Sequence, residues 1–78
     1  MNRFPDPSAG QAEAAFIAEL ARGAVVEASG QRSVRTARVD IRENVAVAQV
    51  LMLSGVYATV RAERKFGRWA VTEVEEAV

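Results

Sequence analysis

Residues 45–53, Val-Ala-Val-Ala-Gln-Val-Leu-Met-Leu, are apolar at every position except Gln49. In a β-strand successive side chains point to opposite faces, so Val45, Val47, Leu51 and Leu53 share one face and Ala46, Ala48, Val50 and Met52 the other. Neither face suits water, and a sheet built around this strand needs a covering layer on both sides. The fold must therefore supply two layers beside the sheet, or one layer and a second molecule.

The flanking segments supply the rest of that sheet. In residues 34–42, Ala37, Val39 and Ile41 alternate with Arg38, Asp40 and Arg42, the pattern of a half-buried strand. Glu43-Asn44 is a short hairpin turn, with asparagine suited to the left-handed conformation such turns require. Ser54-Gly55 is the next turn. Val56, Ala58, Val60 and Ala62 then alternate with Tyr57, Thr59, Arg61 and Glu63 on a strand that runs on to Phe66. Gly67-Arg68 makes the last turn. In the closing strand, residues 69–74, Trp69 and Val71 lie on one face and Ala70, Thr72 and Val74 on the other, and Glu75-Glu76 frays into solvent.

Ahead of the sheet stands one helix. The prolines in Phe4-Pro5-Asp6-Pro7 make residues 1–7 an extended segment. Ser8 with Gln11 fits a capping box, and the alanine-rich run that follows carries an apolar stripe of Ala12, Phe16 and Leu20, with Ile17 beside it. Glu13 and Glu19 lie off that stripe. Arg22 suits the negative end of a helix dipole, and Gly23 is a C-terminal stop. These signals predict a helix over residues 8–22, followed by a short strand or extended link over 24–29. Residues 1–78 read as a single α+β domain: one N-terminal helix packed on a curved antiparallel meander of three to five strands, the sheet spanning residues 34–74.

Composition narrows the function. A chain of 78 residues has a small core, and such proteins are usually reinforced by disulfides, a metal or oligomerisation. Cysteine and histidine are both absent, so no disulfide, thiolate zinc site or Ser-His or Cys-His nucleophilic pair can form. Oligomerisation is the remaining remedy, and neither metal nor cofactor is expected. Ten basic and ten acidic residues cancel, although residues 31–68 hold eight of the basic residues and only three acidic ones. The N-terminal residues lack the apolar run of a signal peptide, and no segment is long and apolar enough to span a bilayer. The expectation is a cytoplasmic protein without a membrane partner.

The final two strands, Thr59-Val60-Arg61-Ala62-Glu63-Arg64-Lys65-Phe66-Gly67-Arg68-Trp69-Ala70-Val71-Thr72-Glu73-Val74, resemble the C-terminal hairpin of cystatin-like α+β proteins, in particular the NTF2-like superfamily. There a strand ending in basic residues often leads through a Gly-Arg-Trp turn into the last strand. The resemblance implies a curved sheet packed on helix, dimerisation through sheet faces and, in longer relatives, a ligand pocket in the concavity. Longer relatives carry about three helices before the sheet where this chain has one, and catalytic members commonly use an Asp-His or Tyr-Asp constellation in the pocket, none of which carries over as a set to this chain without histidine.

Candidate chemistry is sparse. Asp40 lies between Arg38 and Arg42, and Glu63 between Arg61 and Lys65. A carboxylate general base needs burial, and flanking cations oppose its proton uptake, so cross-strand ion pairing is the simpler reading. Arg38, Arg42, Arg61 and Arg64 form a candidate anion-binding set. Nucleic acid is not the expected partner, because net charge is zero and no RNA-binding signature or phosphate loop is present. Gln49, Tyr57 and Trp69 are candidate ligand-binding residues. The expected interface comprises Val45, Val47, Gln49, Leu51, Leu53, Val60 and Trp69. The chain reads as a non-catalytic binding or assembly module that forms a homodimer or higher oligomer and takes a small apolar ligand or protein partner. The alternatives are a small NTF2-like enzyme using Asp40, Glu63 or Tyr57 in an apolar cavity, and a weak nucleic-acid binder.

Overall fold

The structure, a computed structural model, describes residues 7–76. One helix, α1 (Pro7–Ser29), is followed by four strands: β1 (Arg35–Arg42), β2 (Val45–Leu51), β3 (Tyr57–Lys65) and β4 (Arg68–Glu76). They form one antiparallel sheet in the order β1-β2-β3-β4, and α1 contacts all four strands. This is the expected helix-on-sheet α+β arrangement. The anticipated extended segment at residues 1–6 lies outside the described residues.

The helix is longer than its sequence signals suggested at both ends. It begins at Pro7, which needs no N–H in the first turn, so the start lies one residue before the Ser8 expected there. It also passes through Gly23 and takes in residues 24–29, where a strand or link was expected. Packing explains the extension. Ile17, Ala21 and Val25, spaced four apart, are essentially inaccessible, and Leu20 and Ala24 are half-buried beside them. Stopping at Gly23 would remove Val25 from the core. Gly23 is exposed with nothing near it, so its missing side chain costs no contact. The true stop is Gly30, at φ 78°, where the Gly30 N–H bonds the Val26 carbonyl at 2.8 Å. The buried stripe is offset by one residue from the one expected, leaving Ala12 and Phe16 exposed, and Arg22 pairs with Glu19 at 3.5 Å in mid-helix.

Two bulges correct the strand faces. The pairing of β1 with β2 slips between Thr36 and Arg38, turning Ala37 outward and Thr36 toward the helix, where its hydroxyl donates to the Ala18 carbonyl at 2.7 Å. The β3–β4 pairing slips between Arg61 and Ala62, so Val74 joins Trp69 and Val71 on the helix side. Glu75 and Glu76 pair with Thr59 and Ala58 instead of fraying. Both bulges involve the outer strands, where such irregularities discourage edge-to-edge pairing with another sheet.

The turns also differ in detail. In the first hairpin it is Glu43, at φ 56°, and not Asn44, that takes the left-handed conformation. The last turn is Phe66-Gly67, both at positive φ, because Lys65 already pairs with Arg68. Phe66 is fully exposed in a backbone conformation that favours Asn before Gly. Replacing it with asparagine is expected to raise stability by about 0.5–1 kcal/mol, read as an upward shift of the urea midpoint at unchanged slope. A lower midpoint would show that the phenyl ring makes a stabilising contact.

The core lies wholly between helix and sheet. Ala48, Val50, Met52, Ala58 and Val60 meet Ala21 and Val25, while Ala46 and Ala62 meet Ile17. The four strand alanines keep this layer thin and allow the helix to settle close to the backbone. On β2, the helix therefore covers the face with the smaller side chains. Val45, Val47 and Leu51 remain on the other.

Candidate interaction surface

The residue register lays out the open face in rows across the sheet. Arg35, Leu51 and Tyr57 form the first; Arg38, Gln49, Thr59 and Glu75 the second; Asp40, Val47, Arg61 and Glu73 the third; Arg42, Val45, Glu63 and Ala70 the fourth. An apolar column of Val45, Val47 and Leu51, interrupted by Gln49, thus runs down the middle with charge on both flanks. Among the described residues no element covers it. Val47 is 37% exposed and Tyr57 44%.

The expected interface set divides. Val45, Val47, Gln49 and Leu51 share this face, whereas Val60 and Trp69 lie on the helix side, Val60 fully buried and Trp69 half-buried. Parity explains the split, since Val60 pairs with Ala48 and Val74 and therefore points with them toward α1. Leu53 belongs to neither set: β2 ends at Leu51, and Leu53 projects from the following turn, 75% exposed. The proposed ligand trio divides in the same way. Gln49 and Tyr57 are in adjacent rows of the open face, and Trp69 is across the sheet from them. A shallow hollow of about 130 Å³ beside Gln49, lined by Arg38, Asp40 and Val47, is too small for most ligands.

Of the four arginines, Arg38, Arg42 and Arg61 share the open face. Arg42 Nε stands 3.4 Å from Asp40 Oδ2, and Arg61 Nε 3.5 Å from Glu63 Oε2. These carboxylates pair along their own strands, not across strands, and do so at the surface, Asp40 lining the shallow hollow beside Gln49. Arg64 is elsewhere. It sits on the helix side with its guanidinium 5.2 Å from the Trp69 ring centroid, donating from Nη1 to Glu13 Oε2 at 2.9 Å. Its Nε donates to Asn44 Oδ1 at 3.1 Å and its Nη2 to the Glu43 carbonyl at 3.3 Å. Trp69 Nε1 donates to the same Glu13 oxygen at 3.2 Å.

This cluster ties α1, the β1–β2 turn and the β3–β4 hairpin together. The sequence carries a signal for it: Glu13 continues the Ile17–Ala21–Val25 row one step toward the N-terminus, and an acid at the end of a buried stripe needs a donor. Glu13→Ala is expected to lower stability by about 1 kcal/mol, the pair being over a third exposed, and to red-shift the fluorescence of the sole tryptophan. An unchanged emission maximum and midpoint would show that the cluster does not hold the hairpin.

Among the described residues no metal-binding group of acidic, histidine or cysteine side chains occurs, and no helix is long and apolar enough to cross a membrane. The fold and surface define a two-layer α+β domain with an uncovered, mixed apolar and charged sheet face. Comparison with protein-family models, with curated proteins and with solved structures finds no match to this chain.

Proposed function

We propose that this protein is a non-catalytic assembly module whose open sheet face receives a second copy of the same chain. The observation that carries the reading is the distribution of side chains on β2, which turns Ala46, Ala48 and Val50 to the helix and leaves Val45, Val47 and Leu51 on the uncovered side. Obligate interfaces have the composition of a core cut in half, and this face supplies that composition only along its centre.

The size of the face supports the same reading. Four strands of seven to nine residues present a face on the order of 500 Å² in projection, and the corrugated accessible surface is larger. A standard interface uses about 800 Å² per partner, so all four strands are engaged. Packed sheets lie within about 30° of alignment. A two-fold axis crossing the strands between the second and third rows sets β2 on its copy, with Leu51 opposite Val45 and Arg38 opposite Asp40 of the other chain. Tyr57 then faces the other chain's Glu63. Like charges oppose only on the outer strands, Arg35 with Arg42 and Glu73 with Glu75, where the rotation of the sheets carries side chains apart. Such a face-to-face dimer is also what the resemblance to NTF2-like chains implies.

Sedimentation velocity tests the reading, with twice the 8.4 kDa chain mass expected at micromolar concentration. Arg38→Glu is expected to weaken the dimer and Arg38→Glu with Asp40→Arg to restore it. A single-chain mass across that range would refute the proposal.

A further inference from the structure

A hollow of about 490 Å³ opens at the end of the sheet where β1 begins and β2 finishes. Its volume falls within the range of small-molecule sites, ~300–1,000 Å³. The buried side chains of Val34 and Met52 line it, together with Leu51 and the largely exposed Leu53. Gly55, at φ 86°, borders it with no side chain to fill it. Ser33 and Arg35 supply the polar part of the lining, and no acidic residue belongs to it. None of the ion pairs among the described residues involves Arg35.

We infer that this hollow binds a small amphiphile with a short saturated chain and a carboxylate head. The chain lies over Val34, Leu51 and Met52 and covers Leu53, removing apolar surface from water. The head meets Arg35, whose planar guanidinium matches a carboxylate through two parallel hydrogen bonds, with the Ser33 hydroxyl available as a further donor. One arginine suits a monoanion. A phosphate would need further donors, and two of the turn's N–H groups are already used, Met52 N–H by the Val56 carbonyl and Gly55 N–H by the Met52 carbonyl, both at 2.9 Å. Because the hollow is more open than enclosed, much of the ligand stays in water and the affinity is modest. The site belongs to one chain. Only Arg35 and Leu51 are shared with the open face.

Titration of the ¹⁵N-labelled full chain with octanoate below its micellar concentration tests the inference. Saturable shifts are expected at Val34 and residues 51–55, with none at the Phe66-Gly67 turn. Arg35→Gln is expected to raise the dissociation constant about tenfold through loss of the charge-assisted pair. Leu53→Glu, at an exposed position that tolerates charge, should weaken binding at least about tenfold by setting a hydrated carboxylate where the alkyl chain lies. Neutral 1-octanol should bind no better than octanoate binds Arg35→Gln, and inorganic phosphate should shift nothing. The Val47→Glu chain, in which the proposed dimer no longer covers Arg35 and Leu51, should bind octanoate at least as well as the native one, which separates this site from the dimer. Absence of saturable shifts, shifts spread over the open face, equal binding by Arg35→Gln, or loss of binding in Val47→Glu would each overturn it.

Discussion

A Val47→Glu chain is expected to sediment as a monomer at concentrations where the proposed native dimer persists, with the dimer dissociation constant raised at least about a hundredfold. Val47 sits at the centre of the open face, in the row with Asp40, Arg61 and Glu73. In a two-fold arrangement the substitution enters the interface twice. Burying a carboxylate without full compensation costs several kcal/mol, and each ~1.4 kcal/mol is a factor of ten. The single chain, by contrast, should keep its fold, because Val47 is 37% exposed and a glutamate there stays in water, between Arg61 on one side, which attracts it, and Asp40 on the other, which repels it. Circular dichroism and the urea midpoint, measured at high dilution for both chains, separate the two effects. An unfolded variant would leave the mass uninformative, so Gln49→Lys, at an exposed position in the adjacent row, provides the second case. Native-like dimers from both variants would remove the open face as the contact.

Val25→Ala is expected to destabilise the fold by about 2–3 kcal/mol, equivalent to a fall of roughly 10–20 °C in the melting temperature of a domain this size. Val25 is completely inaccessible, packed among Ala21, Val50 and Val60 in the larger core cluster. Removing two methyl carbons there loses transfer free energy and leaves a cavity beneath a helix with little freedom to collapse onto it. Val26→Ala, one residue away and only partly buried, is the control and should cost under half as much. Equal effects at both positions, or none at either, would mean that residues 24–29 do not pack on the sheet as a helix.

That stretch shows where local signals stop. Gly23 carries the sequence mark of a helix C-terminus, and Val25-Val26 favour a strand, yet the helix runs on to Ser29. Local propensities of this kind amount to about 1 kcal/mol per residue or less. Burying Val25 outweighs them, and that contribution exists only once the sheet is in place. The same asymmetry moved the helical stripe. Phe16 is the largest apolar side chain on α1, and it is exposed because small side chains, Ala46 and Ala62, bring the helix close through Ile17 instead.

Alternation from Val34 to Val74 was enough to place the strands and their order within an expected three to five, because in a meander each strand pairs with its chain neighbours and the pattern of period two is local. Alternation likewise separated Val45, Val47 and Leu51 from Ala46, Ala48 and Val50. It was insufficient at Ala37 and Thr72, where one extra residue in an outer strand reverses the faces beyond it, an effect of pairing with the neighbouring strand. It also put Val60 and Trp69 in one set with Val47, since matching faces between strands depends on register. Arg64 left the expected anion-binding group for the same reason, having come to rest against Glu13 and Trp69.

The amino-acid sequence by itself determined the class of the fold, its order of elements and the presence of an apolar strand with two faces to cover, all properties of short-range periodicity and composition. Tertiary structure decided which face the helix takes. It chose the alanine face of β2, because a helix gains most where it approaches the backbone closely, and it left Val45, Val47 and Leu51 uncovered. That choice arises from packing between segments distant in the chain, and no local pattern records it.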